Sequence, residues 1–370
     1  MLCNVNSAML VFVYFLLYIL PLVLIPYGET YEIGKVLLAQ LAIEIIVFTL
    51  ILKKQLTSLI KHPRLMLLIA LIYILSITAL IFTPLQSNLF GNSHRSQGTY
   101  LLWHLLALSL VAASFTKNYI HKFYAILTLL LLLVTGLLGG GTEAGRAYGA
   151  LGEPNALAAS GIFLWPLTWS LSGWLVAFSL IFISGSRSGF LALALQTLFL
   201  ILIKKFKISL KSATIWSLII LTAFYLLAYS EKSGVLEQRG QIWKTSLVAG
   251  LQNPIIGGGF GNSESLIRQG AIKLGNSLRF QRVDDAHNFI LNWWIQAGFV
   301  GVMLLLYLLY FTLKNYIQHK RLVELVILLG LLTVSSFNPT SVVTLVGFWW
   351  LIGQGFTARP VEGHPIISPF

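Results

Sequence analysis

Sulfur and charge are the scarcest things in this sequence. Cys3 is the lone cysteine, so neither a disulfide framework nor a cysteine-based metal site can be built from it. Charged residues make up 10% of the 370 residues and hydrophobic ones 57%, with a mean hydropathy of +0.82. So little polar surface cannot coat a soluble globule of this mass, and the chain reads as an integral membrane protein. A Gly-Lys-Ser/Thr phosphate loop is also absent, as is the strand–helix frame that a dinucleotide fold needs.

What is present is a series of apolar runs of about 17 to 25 residues. At about 1.5 Å per residue these match a hydrocarbon core of about 30 Å, which calls for helices rather than barrel strands. Twelve spans are expected, near 8–26, 33–52, 65–83, 99–116, 121–138, 155–171, 173–184, 188–203, 212–230, 288–313, 322–337 and 341–357. They form one polytopic domain over residues 1–370, with a large extracytoplasmic loop, 231–287, between the ninth and tenth. Met9 to Pro26 lacks a basic leader and a small-residue cleavage pattern, and is expected to be a retained span.

The formal charge of +13 raises nucleic acid as a partner, but the lysines follow membrane topology instead. Lys53, Lys54 and Lys61, Lys117 and Lys122, Lys204 to Lys211, and Lys314 and Lys320 crowd alternate connections, which are expected to be cytoplasmic. An even number of crossings must then separate Lys122 from Lys204. Only a break at Ser184-Gly-Ser-Arg-Ser-Gly189 supplies it. The preceding half-span, about 18 Å long, is expected to end in a recess below the outer surface.

Arginine behaves differently from lysine. Arg95, Arg146, Arg187, Arg239, Arg268, Arg279 and Arg282 all fall on the expected outer side, where topology does not ask for them. Guanidinium suits bidentate contacts to phosphate and carboxylate. The alternative is solvated loop charges paired with Glu143, Glu153 or the loop aspartates. Arg187, flanked by apolar helices with no acid close in sequence, is the hardest to explain in that way.

Four further features stand out. Asp284-Asp-Ala-His-Asn288 puts His287 at an outer helix start, where nearby arginines would keep it neutral and able to accept a proton. Its alternatives are an interfacial helix-start residue or a metal set of Asp284, Asp285 and His287, and no second ligand cluster supports the metal. Gly257, Gly259 and Gly261 lie in a flexible stretch whose amides could cradle an anion or merely let the loop fold tightly. Gln238 to Leu251 places Ile242, Trp243, Leu247 and Leu251 on one face, as in a helix lying on the membrane surface. Glu44, mid-span in the second helix, is either a proton-relay acid or a hydrogen-bonded structural group.

Taken in order, Phe90-Gly-Asn-Ser-His-Arg95-x2-Gly98, Arg146 with Glu153-Pro-Asn155, Arg187 in its Ser-Arg-Ser-Gly break, Arg239-x3-Trp243, Pro254 with the glycine stretch, and His287-Asn288-x2-Leu291 form a set. The set resembles the O-antigen ligase and polymerase superfamily of bacterial envelope proteins. That resemblance implies an all-α, GT-C-like membrane fold of about twelve helices in the bacterial cytoplasmic membrane, with its site on the periplasmic side. It implies transfer of a glycan from an undecaprenyl-diphosphate carrier to an acceptor hydroxyl, inverting and without metal or other cofactor. His287 would be the base and Arg187 and Arg239 the diphosphate ligands. Arg95, Arg146, Asn155, Trp243, Arg268, Arg279, Arg282 and Asn288 are further candidates for substrate contact.

The residues agree with that chemistry from their own side. A sugar donor outside the cytosol must carry its own leaving group, and a lipid diphosphate does. The acceptor is left open among lipid A-core, a growing glycan and a protein, and thus among ligase, polymerase and protein O-oligosaccharyltransferase. A flippase using the broken helix and Glu44 is the rival from another class; its pathway would need polar residues in both leaflets, and these lie on one side.

Overall fold

Helix ends in this chain are set by capping residues as much as by hydrophobic pattern. The structure, a computed structural model, describes residues 7–25, 31–54, 62–82, 85–115, 121–138, 142–143, 145–230 and 239–357. α1 (Ser7–Tyr14) widens into a π turn, Phe15–Ile19, and then tightens into a 3-10 turn, Leu20–Leu22, around Pro21. α2 (Tyr31–Leu52), α3 (Pro63–Phe82), the short α4 (Leu85–Phe90), α5 (Thr99–Ser114) and α6 (Lys122–Leu138) follow. A two-residue hairpin, β1 (Thr142–Glu143) with β2 (Arg146–Ala147), leads to α7 (Pro154–Thr168), which starts on Pro154 where a missing N–H is harmless.

The expected break is present, and its cause is local. α8 (Leu171–Ser184) ends on Gly185 at φ +59, the left-handed C-terminal position that favours glycine. α9 (Arg187–Lys204) starts on Ser186, whose Oγ accepts the Gly189 N–H at 3.3 Å. α10 (Leu210–Ser230) completes this group. α11 (Arg239–Gly250) and α12 (Ser263–Lys273) precede α13 (Phe289–Gln318), α14 (Leu322–Ser335) and α15 (Val342–Gly355).

Four of the described helices are long and apolar enough to cross a membrane: Tyr31–Leu52, Pro63–Ile81, Arg187–Lys204 and Phe289–Gln318. Seven shorter apolar helices accompany them. Their outward faces carry large bare side chains such as Leu41, Phe48, Leu67, Ile74, Leu130 and Phe182, as a lipid-facing wall would. Inside the bundle, polar groups are satisfied by neighbouring helices. Gln196 donates to the Ile162 and Val326 carbonyls at 3.2 and 2.9 Å and accepts from the Trp165 indole at 2.6 Å, tying α9 to α7 and α14. Glu44 accepts from Tyr100 and pairs with His104, each at 2.9 Å, which matches the hydrogen-bonded reading of that acid.

The polar stretch before α13 carries helices and an apolar cluster of its own. Residues 231–238 lie outside the described residues, but 239–288 folds over a core of its own. Ile242, Trp243, Leu266, Ile267 and Leu278 pack with Leu291 and Ile295 of α13 and with Phe337. The expected surface helix is therefore corrected. α11 buries Ile242 and Trp243 against this core and exposes Leu247 and Leu251, because α12 and α13 supply an apolar surface that the sequence face alone assigns to lipid.

Of the two readings of the glycine stretch, the structure supports the tight fold over the helices. α13 kinks at Gly298 (φ +63, ψ −163), which frees the carbonyls of the turn before it. Gly258 and Gly259 donate their N–H groups to Ile295 and Gln296 at 2.9 Å, while Phe299 and Val300 donate back to Pro254 and Ile255. Those two amides are consumed in seating the loop on the kink and do not cradle an anion.

A Cβ at Gly257 (φ +73) would overlap the backbone of Gln296 and Ala297, whereas one at Gly275 (φ +61) would meet nothing within 4 Å. Gly257→Ala is therefore expected to destabilise the protein by roughly 3 kcal/mol, from strain plus overpacking. Gly275→Ala should cost about 1 kcal/mol, from the left-handed backbone alone. Thermal unfolding of the two variants in the same detergent checks the difference.

Candidate active site

The polar connections of one bundle end meet at the start of α13. Asp285 Oδ1 accepts the His287 N–H at 2.7 Å and Oδ2 accepts from Asn292 at 2.9 Å, holding His287 at φ +51, a left-handed value that costs a non-glycine residue about 1 kcal/mol. Asn288 caps α13 by accepting the Leu291 N–H at 3.0 Å, and its amide donates to the Ser336 carbonyl at 2.9 Å. The His287 turn is thereby fastened to the link between α14 and α15.

That link carries a residue the sequence reading missed. Asn338, 1% exposed, accepts from Arg239 Nη2 at 3.0 Å and donates to Ser188 Oγ. One side chain thus joins the loop arginine on α11 to the helix break that bears Arg187. The network continues from Ser188 to Ser186 at 3.2 Å and from Ser186 to Asn155 at 3.0 Å. Arg146 ends it, donating to Asn155 Oδ1 at 3.0 Å and to the Ser184 carbonyl at 2.8 Å. The available signal was Ser335-Ser-Phe-Asn-Pro-Thr340, a polar turn sequence between two apolar runs.

The candidate arginines therefore divide. Arg239 is buried beside the His287 turn, and Arg187 sits exposed on the first turn of α9. Arg146 is engaged with Asn155 and the C-terminus of α8. Arg95 is buried and donates to Asp284 at 2.5 Å and Glu153 at 3.3 Å. Arg282 pairs with Glu264 at 3.2 Å and donates to Ser93 at 3.1 Å. Arg268 is exposed on α12, and Arg279 covers the exposed Phe280 ring at 4.6 Å. Trp243 is fully buried against Phe337 and presents no face to a substrate. Gly257, Gly259 and Gly261 (φ +73, +95 and +85) serve the loop's close approach to α13 and to the 91–98 loop.

Charge around His287 is arranged to leave its imidazole neutral. Burial pushes its pKa down to about 4; the Asp284 carboxylate opposes this, and Arg239 and Arg95 add to it. Burial drives Asp285 up to about 7 in spite of Arg95. Burial would raise Asp284 too, but the adjoining Arg95 guanidinium wins and holds it below the usual carboxylate value. Asp284, Asp285 and His287, weighed as a metal set, do not group as three ligands among the described residues, since Asp285 is turned to Asn292 and the backbone.

Behind the turn lies a polar cavity of about 20 Å³, lined by Arg95, Gln97, Ser263, Asp285, Asn292 and Gln296 among others, with room for about one water. A second, of about 60 Å³, shares Gln97, Asn292 and Gln296 and adds the rings of Phe260, Phe289, Trp293 and Trp349. A larger recess, about 620 Å³, lies on the bundle flank between α2, α3 and α5 and is lined by none of the candidate arginines or His287.

The family model described as O-antigen ligase matches residues 171–306. That stretch holds Arg187, Arg239, the glycine run and His287, and leaves out Arg95, Arg146, Asn155 and Asn338. Among curated proteins no match is found.

Asn338→Ala removes a bond to a charged donor and a second bond to Ser188. It is expected to destabilise the protein by about 2 kcal/mol. Differential scanning fluorimetry beside the wild type measures this.

Proposed function

We propose, from the match of residues 171–306 to the O-antigen ligase family model, that the chain belongs to that superfamily and transfers a glycan from an undecaprenyl-diphosphate carrier to an acceptor hydroxyl. The reaction is inverting and metal-independent and runs at the periplasmic face of the bacterial cytoplasmic membrane. In this reading about twelve helices cross that membrane in a GT-C-like arrangement, and residues 231–287 form the large outer loop. The observation that carries it is a half-buried imidazole beside the buried Arg239, with Asn338 linking that arginine to the break after which Arg187 follows.

Each group has a task that its surroundings support. A neutral His287 takes the proton of the attacking hydroxyl, worth about 10²- to 10⁴-fold. Arg239 and Arg187 hold the diphosphate and stabilise the charge that gathers on it as the glycosidic bond breaks, worth a few kcal/mol per well-placed donor. Of these two cations Arg239 also favours the neutral imidazole, so donor binding and base function are coupled through its charge. Arg268, Arg279, Arg282, Arg146, Asn155 and Asn288 remain candidates for glycan or acceptor contact, as direct ligands or as supports. The acceptor is lipid A-core, another glycan or a protein.

His287→Ala is expected to abolish transfer with donor affinity retained, and Arg187→Ala or Arg239→Ala to weaken donor binding as well. Purified protein, a lipid-diphosphate glycan and candidate acceptors, with product mass as readout, test this and identify the acceptor. Wild-type turnover by His287→Ala would falsify the base assignment, and loss of activity with a chelator would revive a metal. Because its pKa lies near 4 rather than 6.5, His287 stays unprotonated well below neutral pH. The acid limb of the rate profile is therefore expected near pH 4, and a limb near 6.5 would mean a solvent-exposed histidine.

A further inference from the structure

Arg95 belongs by sequence with the outer arginines, and a phosphate-binding role is the natural expectation for it. Its surroundings argue otherwise. The guanidinium is buried, with Nε on Asp284 and Nη1 on Glu153, and Asp285 and Glu32 also lie in its field. Burial disfavours its charge, yet the Glu153 and Asp284 carboxylates outweigh that and raise its pKa. A cation already clamped by two carboxylates has little attraction left for a diphosphate.

The same contacts join three separate pieces of chain. Arg95 sits in the 91–98 loop, whose shape is fixed by Gly91 at φ +81, by the Arg95 N–H on Asn92 Oδ1 at 2.8 Å and by Gln97 on the Thr340 carbonyl at 2.7 Å. Glu153 stands at the N-cap position of α7 with its carboxylate turned to Arg95, and Asp284 lies three residues before His287. The far side of that turn is held by Asp285 and Asn288, so the Arg95–Asp284 pair supplies the near side.

We infer that Arg95 is a positioning residue rather than a donor ligand: through Asp284, and braced by Glu153, it fixes the strained turn that aims the His287 imidazole. This rests on the reading of His287 as the base. The groups facing the imidazole are Asp284 on its own turn, Arg239 from α11 and Arg95, with Glu153 and Asp285 acting through Arg95. Losing Arg95 thus removes a positive neighbour as well as a brace, and losing Asp284 removes a negative one.

The test is steady-state transfer across pH by the full chain in detergent or nanodiscs, with Arg95→Gln, Arg95→Lys and Asp284→Asn beside the wild type. Arg95→Gln is expected to lower kcat about 10- to 100-fold with donor KM unchanged, as a base displaced by an ångström would. Arg95→Lys should recover part of that loss, since one ammonium cannot bridge both carboxylates. The acid limb should move up by roughly one unit in Arg95→Gln and down in Asp284→Asn, opposite shifts that a merely structural defect would not produce. A tenfold rise in donor KM at preserved kcat would make Arg95 a substrate ligand and overturn the inference, as would wild-type kcat or an unmoved limb in Arg95→Gln. If Arg95→Gln does not fold, Asp284→Asn decides by kcat: a fall of tenfold or more with donor KM unchanged supports the brace, and wild-type kcat overturns it. His287→Ala separates the two levels: full turnover there sinks the base itself, whereas an inactive His287→Ala beside a wild-type Arg95→Gln sinks only the positioning role.

Discussion

The exchange of backbone hydrogen bonds between the glycine stretch and the kinked start of α13 is the constraint on which the polar end of this molecule depends. Gly298 interrupts the helix, leaving carbonyls and amides without partners where neither water nor lipid can be relied on to satisfy them. The 254–259 strand of chain satisfies them from both sides. Once it is seated, α11 and α12 have only one place to lie, and Arg239 is brought to the His287 turn. An apolar cluster around Trp243 then makes the arrangement rigid.

On that frame the arginines sort by what they face. Arg95 and Arg146 look inward, to carboxylates and to a helix C-terminus, and bind protein to protein. Arg187 is exposed on the first turn of α9, and Arg239 lies beside a titratable base. The opposite end of the bundle uses cations differently: Arg64 and Lys314 lie over Phe311, Lys204 over Trp169, and Arg321 closes a buried pair with Glu324 at 2.7 Å. Aromatic and snorkelling contacts of that sort anchor a helix bundle at its rim.

Much of the fold was legible in the residues. Hydrophobic run length indicated membrane-type helices, and the serine and glycine caps at 184–189 fixed the break, because both signals are local. Lysine crowding asked for an even number of crossings, and the break supplied the extra helix. The Gln238–Leu251 face misled for the converse reason. Ile242 and Trp243 are apolar whether they meet lipid or protein, and only α12, α13 and Phe337 decide which.

The site was half legible. By itself the sequence determined that arginines accumulate away from the lysines, that a histidine precedes an apolar helix and that glycines cluster between them; residue type and order carry that much. Tertiary structure alone decided which arginines are already neutralised, that the glycine amides are used up, that the half-buried His287 imidazole sits beside Arg239 and Asp284, and that Asn338 joins the break to the loop. Burial and pairing depend on residues tens to hundreds of positions apart, and a guanidinium reads the same in sequence whether its partner is a carboxylate of its own chain or a phosphate from outside.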